Sequence, residues 1–132
     1  MKAILFVIAS LTAAFVAQGQ TNWIRVAETD DSTWEVKPGS FEVSQTKGKQ
    51  DIAVVIGRIN NSKTKQVTVG KWYVTLYDCS REMGKMVTLD LDGKFRFEND
   101  FVFGAGSVAT AIAESICAVH AFDVKSRDQK GI

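Results

Sequence analysis

The chain is short of what a catalytic or metal site needs. Its 132 residues include one histidine, His120, one proline, Pro38, and two cysteines, Cys79 and Cys117. A lone histidine with no second His or Cys cluster provides no metal-ligand set. It also leaves a single imidazole to activate any nucleophile. Ser107 lies in no Gly-x-Ser-x-Gly elbow, and no lysine follows Gly104-Ala-Gly106 in phosphate-loop position. Asp90-Leu-Asp92-Gly93 begins like a calcium loop, but its twelfth position is Phe101, where such a loop needs a bidentate Glu. Neither charge sign dominates, with 16 Lys+Arg against 15 Asp+Glu, which argues against a general nucleic-acid binder. These absences predict a protein that is not an enzyme and that holds neither metal nor cofactor.

Long apolar runs are scarce too. The single one, Ala3 to Val16, follows Lys2 and precedes Ala17-Gln18-Gly19. That is the pattern of a secretory signal, with a positive n-region, an apolar h-region and small residues at the cleavage site. Residues 1–19 are therefore expected to be removed; the alternative is a retained membrane anchor. The run is shorter than the roughly 20 residues a spanning helix needs. No cysteine stands at the cleavage point to carry a lipid. The mature chain is expected to have no membrane span and to reside in the periplasm or at the cell surface. Without Lys2 it carries 15 charges of each sign. Residues 20–122 read as one small domain, and 123–132 as a flexible charged tail.

An oxidising compartment gives the two cysteines their meaning. Cys79 ends a strand-like run and Cys117 sits in a helix-like one. A disulfide between them would fasten sheet to helix and stabilise by about 4 kcal/mol for a loop of this length. Two buried free thiols are the alternative.

The rest of the chain is β-rich. Trp23–Ala27 and Thr33–Val36 read as short strands, the second stopped by Pro38-Gly39. Asp51–Ile59 is apolar on both faces, so it is expected at the sheet centre with a helix over one side. Gln66–Cys79 reads as one long strand, with Val67, Val69, Lys71, Tyr73 and Tyr77 on one face and Trp72 and Val74 on the other; Gly70 suggests a bend or bulge. Lys85–Leu91 and Lys94–Glu98 flank the hairpin signal Asp92-Gly93, with Phe95 and Phe97 expected inward. Ser107 is a candidate N-cap for a helix over Val108–Val119, whose stripe Val108, Ile112 and Ile116 has the spacing of a buried face. His120 then falls at the helix C-terminus, where partial positive charge is favourable. The predicted fold is α+β: one antiparallel sheet of five to six strands, with a C-terminal helix packed on it and tied by the disulfide.

Several of these segments recur in a known pattern. A long strand ends in Tyr77-Asp78-Cys79, a Gly-containing hairpin and an aromatic strand follow, Gly106-Ser107 opens a helix, and that helix carries Ser115-Ile116-Cys117-Ala118-Val119. In this order and spacing the region Trp34–Val119 resembles the surface-adhesin protein E family of small exported bacterial proteins. The resemblance implies the same sheet-and-helix fold, a disulfide between Cys79 and Cys117, and binding rather than catalysis. It implies docking to host matrix or other extracellular proteins. A periplasmic accessory or inhibitor protein without host contact is the alternative. The chain departs from the pattern in lacking the lipid-anchoring cysteine and in having Gly106 before the helix Ser.

The binding surface expected from the residues is basic and aromatic. Lys47, Lys49, Arg58, Lys63, Lys65 and Lys71 stand against Asp51 alone between positions 47 and 71. Lys47 and Lys49 fall in one loop and Lys63 and Lys65 in the next; in an antiparallel meander these loops lie at opposite ends of the strand between them, so they need not form one patch. With Lys71, Tyr73 and Tyr77 they form the predicted docking set for a protein partner or an acidic glycan. Ordinary solvated loop charge is the plainer reading. Exposed sheet edges add the expectation of a homodimer.

Overall fold

A computed structural model describes residues 22–130, with side chains through Arg127. The signal expected over 1–19 lies outside the described residues. Seven strands form one antiparallel sheet: β1 Ile24–Glu28, β2 Ser32–Val36, β3 Glu42–Gln45, β4 Asp51–Asn61, β5 Val67–Thr75, β6 Met83–Leu89 and β7 Phe95–Val102. A short helix, α1 (Leu76–Arg81), follows β5, and α2 (Val108–Lys130) comes last. The sheet order is β1-β2-β4-β5-β6-β7, with β3 beside β4. This is the α+β arrangement the sequence predicts.

Two short strands share one side of β4. β2 pairs with its second half (Trp34↔Ile59, Val36↔Gly57), and β3 with its first (Val43↔Ala53). The break between them holds Pro38 and Gly39, the latter at φ +79°. Proline lacks a ladder donor, so β2 stops there. The Ile56 amide, opposite the break, donates instead to Ser40 Oγ at 3.0 Å, and the Ile56 carbonyl accepts from the Lys37 amide at 2.8 Å.

α2 packs on one face of this sheet. Ile112, Ile116, Ala113 and Cys117 meet Ala53, Val55, Trp72, Val74, Met86 and Phe101 in a single core. The predicted stripe is therefore the buried one. Ser107 caps the helix as expected, its Oγ accepting the Thr110 amide at 3.0 Å. The fully buried Thr110 pins the helix to β7: its Oγ1 donates to the Val102 carbonyl at 3.1 Å. Cys79 and Cys117 are joined, with Cα atoms 5.6 Å apart, so α1 and α2 are covalently tied.

Four expectations are corrected. The strand over Gln66–Cys79 ends at Thr75, because the Thr75 side chain accepts the Asp78 amide at 3.0 Å and caps α1. Asp78 in the first turn and Arg81 in the last suit the helix dipole, and Glu82 at φ 62° closes it. Phe95 and Phe97 do not enter the buried core; they are 62% and 47% exposed. A register shift between Thr88 and Leu89 sets Phe95 opposite Leu89, while Phe97 stays on the helix side at the margin of the core and α2 seats on Phe101. Gly70 marks no bulge, since β4 and β5 pair without interruption; a Cβ there would meet the Leu89 carbonyl oxygen at 2.6 Å. Finally, the last helix does not stop at Val119 but runs on to Lys130, so 123–130 is helical. No Gly or Pro interrupts 108–130, and Asp123 and Arg127 form an i,i+4 ion pair. His120 consequently lies within the helix, not at its end, with its ring 6.4 Å from that of Phe41.

Candidate functional site

Because the sheet has its helix on one side, strand alternation sends every second side chain of β4, β5 and β6 to the other. The pairings define that open face at its centre: Val54 beside Tyr73 beside Val87, and Ile56 beside Lys71 beside Leu89. Among the described residues no element packs over this row. Val54 and Val87 are nonetheless buried, and Lys71 and Tyr73 stand half-buried between apolar neighbours.

Charge surrounds the row in a defined way. At one flank Arg58 Nε donates to Glu35 Oε1 at 2.7 Å, the Asn60 side-chain amide donates to the same oxygen, and Trp23 lies over the Arg58 guanidinium at 4.5 Å. At the other flank Lys85 pairs with Asp100 at 2.5 Å. The Asp100 hydrogen bond and charge, with Glu98 adding, hold the Lys85 ammonium above its ordinary pKa. Burial, reinforced by the nearby Glu98 carboxylate, likewise raises the Tyr73 phenol. Lys71 enters no ion pair among the described residues. The row is thus a mixed apolar and cationic strip between two flanks whose charges already have partners.

Of the predicted docking set, the structure brings together Lys71 and Tyr73 only. Tyr77 leaves their face with α1; it is 66% exposed and stacks on Arg81 at 5.0 Å. Lys47 and Lys49 lie in the β3–β4 turn, while Lys63 and Lys65 lie in the β4–β5 turn, where Lys63 pairs with Asp31 at 3.2 Å. The 11 residues of β4 separate the two loops, a span of roughly 35 Å for an extended strand. The six basic residues of this segment therefore form no single patch. Among the described residues no group of His, Cys, Asp or Glu is placed to hold a metal ion.

The covered face has a gap that the sequence did not signal. Between the N-terminal turn of α2 and the sheet lies a groove of about 460 Å³. Trp34, Trp72, Phe97 and Met86 supply most of its apolar lining, with Thr88 and Asn99 among them. Glycine spacing held the clue to its floor. A Cβ at Gly57 would stand 2.2 Å from the Trp72 ring, so the indole fills the space a side chain there would take.

No family model, curated protein or solved structure matches the chain.

Proposed function

We propose that this chain is an exported, non-enzymatic binding protein of the bacterial envelope or surface that docks a protein partner, in the manner of adhesin protein E. The observation that carries this reading is the uncovered row of Ile56, Lys71, Tyr73 and Leu89 on the open face. It combines half-buried aromatic and aliphatic area, the composition expected at the centre of a protein interface, with a lysine free of ion pairs among the described residues that can meet an acidic group of a partner. The Cys79–Cys117 disulfide is compatible with an oxidising compartment. No described helix is long and apolar enough to cross a membrane.

The test is binding of the purified, oxidised protein to a panel of extracellular matrix and serum proteins. The double variant Lys71→Glu/Tyr73→Ala should lose at least tenfold in affinity for any partner, while Lys47→Glu/Lys49→Glu should lose little. Equal losses would refute the open face as the docking surface. Protease digestion of intact cells completes the test. Cleavage would support surface docking, whereas protection until the outer membrane is opened would favour a periplasmic accessory or inhibitor role.

A further inference from the structure

We infer that the N-terminal end of β5 takes up an extended, acidic segment of a protein partner by strand addition. The inference rests on the open face being the docking surface, and adds which chemistry that surface recruits.

The ledge exists because β5 outruns one of its neighbours. β5 pairs with β4 along its whole length, from Val67 to Thr75, but with β6 only from Lys71 to Tyr73. β6 goes no further because its turn closes there. The Asp90 amide donates to the Lys94 carbonyl at 2.9 Å, and the Gly93 amide to the Asp90 carbonyl at 3.0 Å. Register decides which groups are left open. The Asn61 amide donates to the Gln66 carbonyl at 2.9 Å, so Gln66, Thr68 and Gly70 exchange bonds with β4, and the residues between them turn their amides and carbonyls the other way. On that side Lys71 and Tyr73 meet β6, whereas Val67 and Val69 have no backbone partner among the described residues. A strand edge with free donors and acceptors is a template for another strand.

Side chains at the ledge select the occupant. Val67 and Val69 are exposed, and alternation puts them on the open face with Lys71. Leu89 lies opposite Lys71, and the exposed Phe95 opposite Leu89. The surface beside the free edge is therefore apolar, and a segment seated there presents apolar side chains to it. Its charge is set by Lys71, which enters no ion pair among the described residues. Arg58, across β4 from Val69, is already paired with Glu35. In the adjoining turn the Asp90 carboxylate accepts the Lys94 amide. A carboxylate on the incoming segment answers Lys71. Main-chain pairing gives such a segment its affinity, and its alternate side chains give specificity. A helical partner satisfies its own backbone groups and leaves the ledge unmet.

The probe is the capped peptide Thr-Glu-Thr-Val-Thr-Val-Thr-Glu-Thr. Its Val and Glu side chains share one face, and either chain direction brings a Glu toward Lys71. One counterpart has Lys for both Glu; another is N-methylated at both Val. Added to the oxidised protein, the Glu peptide should bind about tenfold more tightly than the Lys peptide, and at least tenfold more tightly than the N-methylated one. It should slow hydrogen exchange at the Val67 and Val69 amides. Lys71→Glu should invert the preference between the two charged peptides. Val69→Pro removes a free amide that takes no part in the β4 ladder, and should weaken the Glu peptide about fivefold. Melting temperatures check that both variants fold, and the peptide comparison on the parent chain stands without them. Equal affinity of the two charged peptides, equal affinity after N-methylation, or no binding at millimolar peptide would each overturn the inference. Binding that shifts Ile56 and Tyr73 but leaves exchange at Val67 and Val69 unchanged would overturn it too, and would leave the open face as the docking surface.

Discussion

Trp72 and Tyr73 are neighbours on β5 and live in different proteins, so to speak. Trp72 is 3% exposed and lies between Val55 and Thr88 under α2. Tyr73 lies between Val54 and Val87, with no element above it among the described residues. One face of the sheet is an interior sealed by a helix and a disulfide. The other is a surface shaped only by its own side chains. The contrast teaches where this small domain holds its stability and where it is free to vary. Burial under α2 supplies the core, so the open face can carry a lysine and a tyrosine at little cost to folding.

Paired substitutions test that division most directly. Trp72→Ala should destabilise by about 3–5 kcal/mol, the range for emptying a buried aromatic site. Tyr73→Ala should cost about 1 kcal/mol, near the centre of the distribution for substitutions generally. Denaturant unfolding of the oxidised protein measures both. Equal values would mean that the open face is packed as an interior, and the two-face distinction would fall.

The disulfide comes next. Replacing both Cys79 and Cys117 with Ser removes a cross-link spanning 38 residues. The expected loss is up to about 4 kcal/mol, through freedom returned to the unfolded chain. If the loss is real, reduction of the native protein should lower its melting point by a matching amount. A double variant as stable as the parent would show that α2 is held by packing alone.

Gly57→Ala sharpens the comparison by acting on the covered face without deleting anything. The added Cβ would stand 2.2 Å from the Trp72 ring, so the indole or β4 must shift. Overpacking of this kind costs about 1–3 kcal/mol. Thermal melts of Gly57→Ala alone and with Trp72→Ala decide the point, because the second change should relieve the first. A simple sum of the two losses would place the strain elsewhere.

The covered face was far more legible in the sequence than the open one. The stripe Val108, Ile112 and Ile116 announces its helix because 3.6-residue periodicity is a direct image of one buried side. Asp92-Gly93 announces its turn: Gly93 adopts φ +92°, and the Asp90 amide donates to the Lys94 carbonyl. The misreadings arose where a local side-chain bond overruled periodicity. Thr75 looks like one more alternating strand residue, and only its capping bond to Asp78 reveals that the strand has ended and taken Tyr77 with it. The Thr88/Leu89 register shift is likewise invisible to a period-2 pattern. The separation of Lys47 and Lys49 from Lys63 and Lys65 was legible, because an antiparallel meander puts the two loops at opposite ends of the strand between them.

The smallest effect expected separates the faces by pH. Tyr73 and Lys85 both belong to the open side, and both are held above their ordinary values of 10.0 and 10.5. For each, the folded state retains its proton at a pH where the unfolded chain has released it. Stability from both groups is therefore complete at neutral pH and declines as pH rises from about 10 through the raised folded values. Tyr73→Phe removes a titrating group without removing the ring, and should flatten part of that alkaline decline while leaving the neutral melting point almost unchanged. Lys85→Met, which ends the exposed pair with Asp100, should flatten a further part; in 0.5 M salt the parent's slope should also lessen, because surface charge is screened. Melting temperatures between about pH 8 and 11 suffice. An alkaline decline untouched by either variant would mean that the open face carries no titration linked to folding, and that its charges serve only whatever binds there.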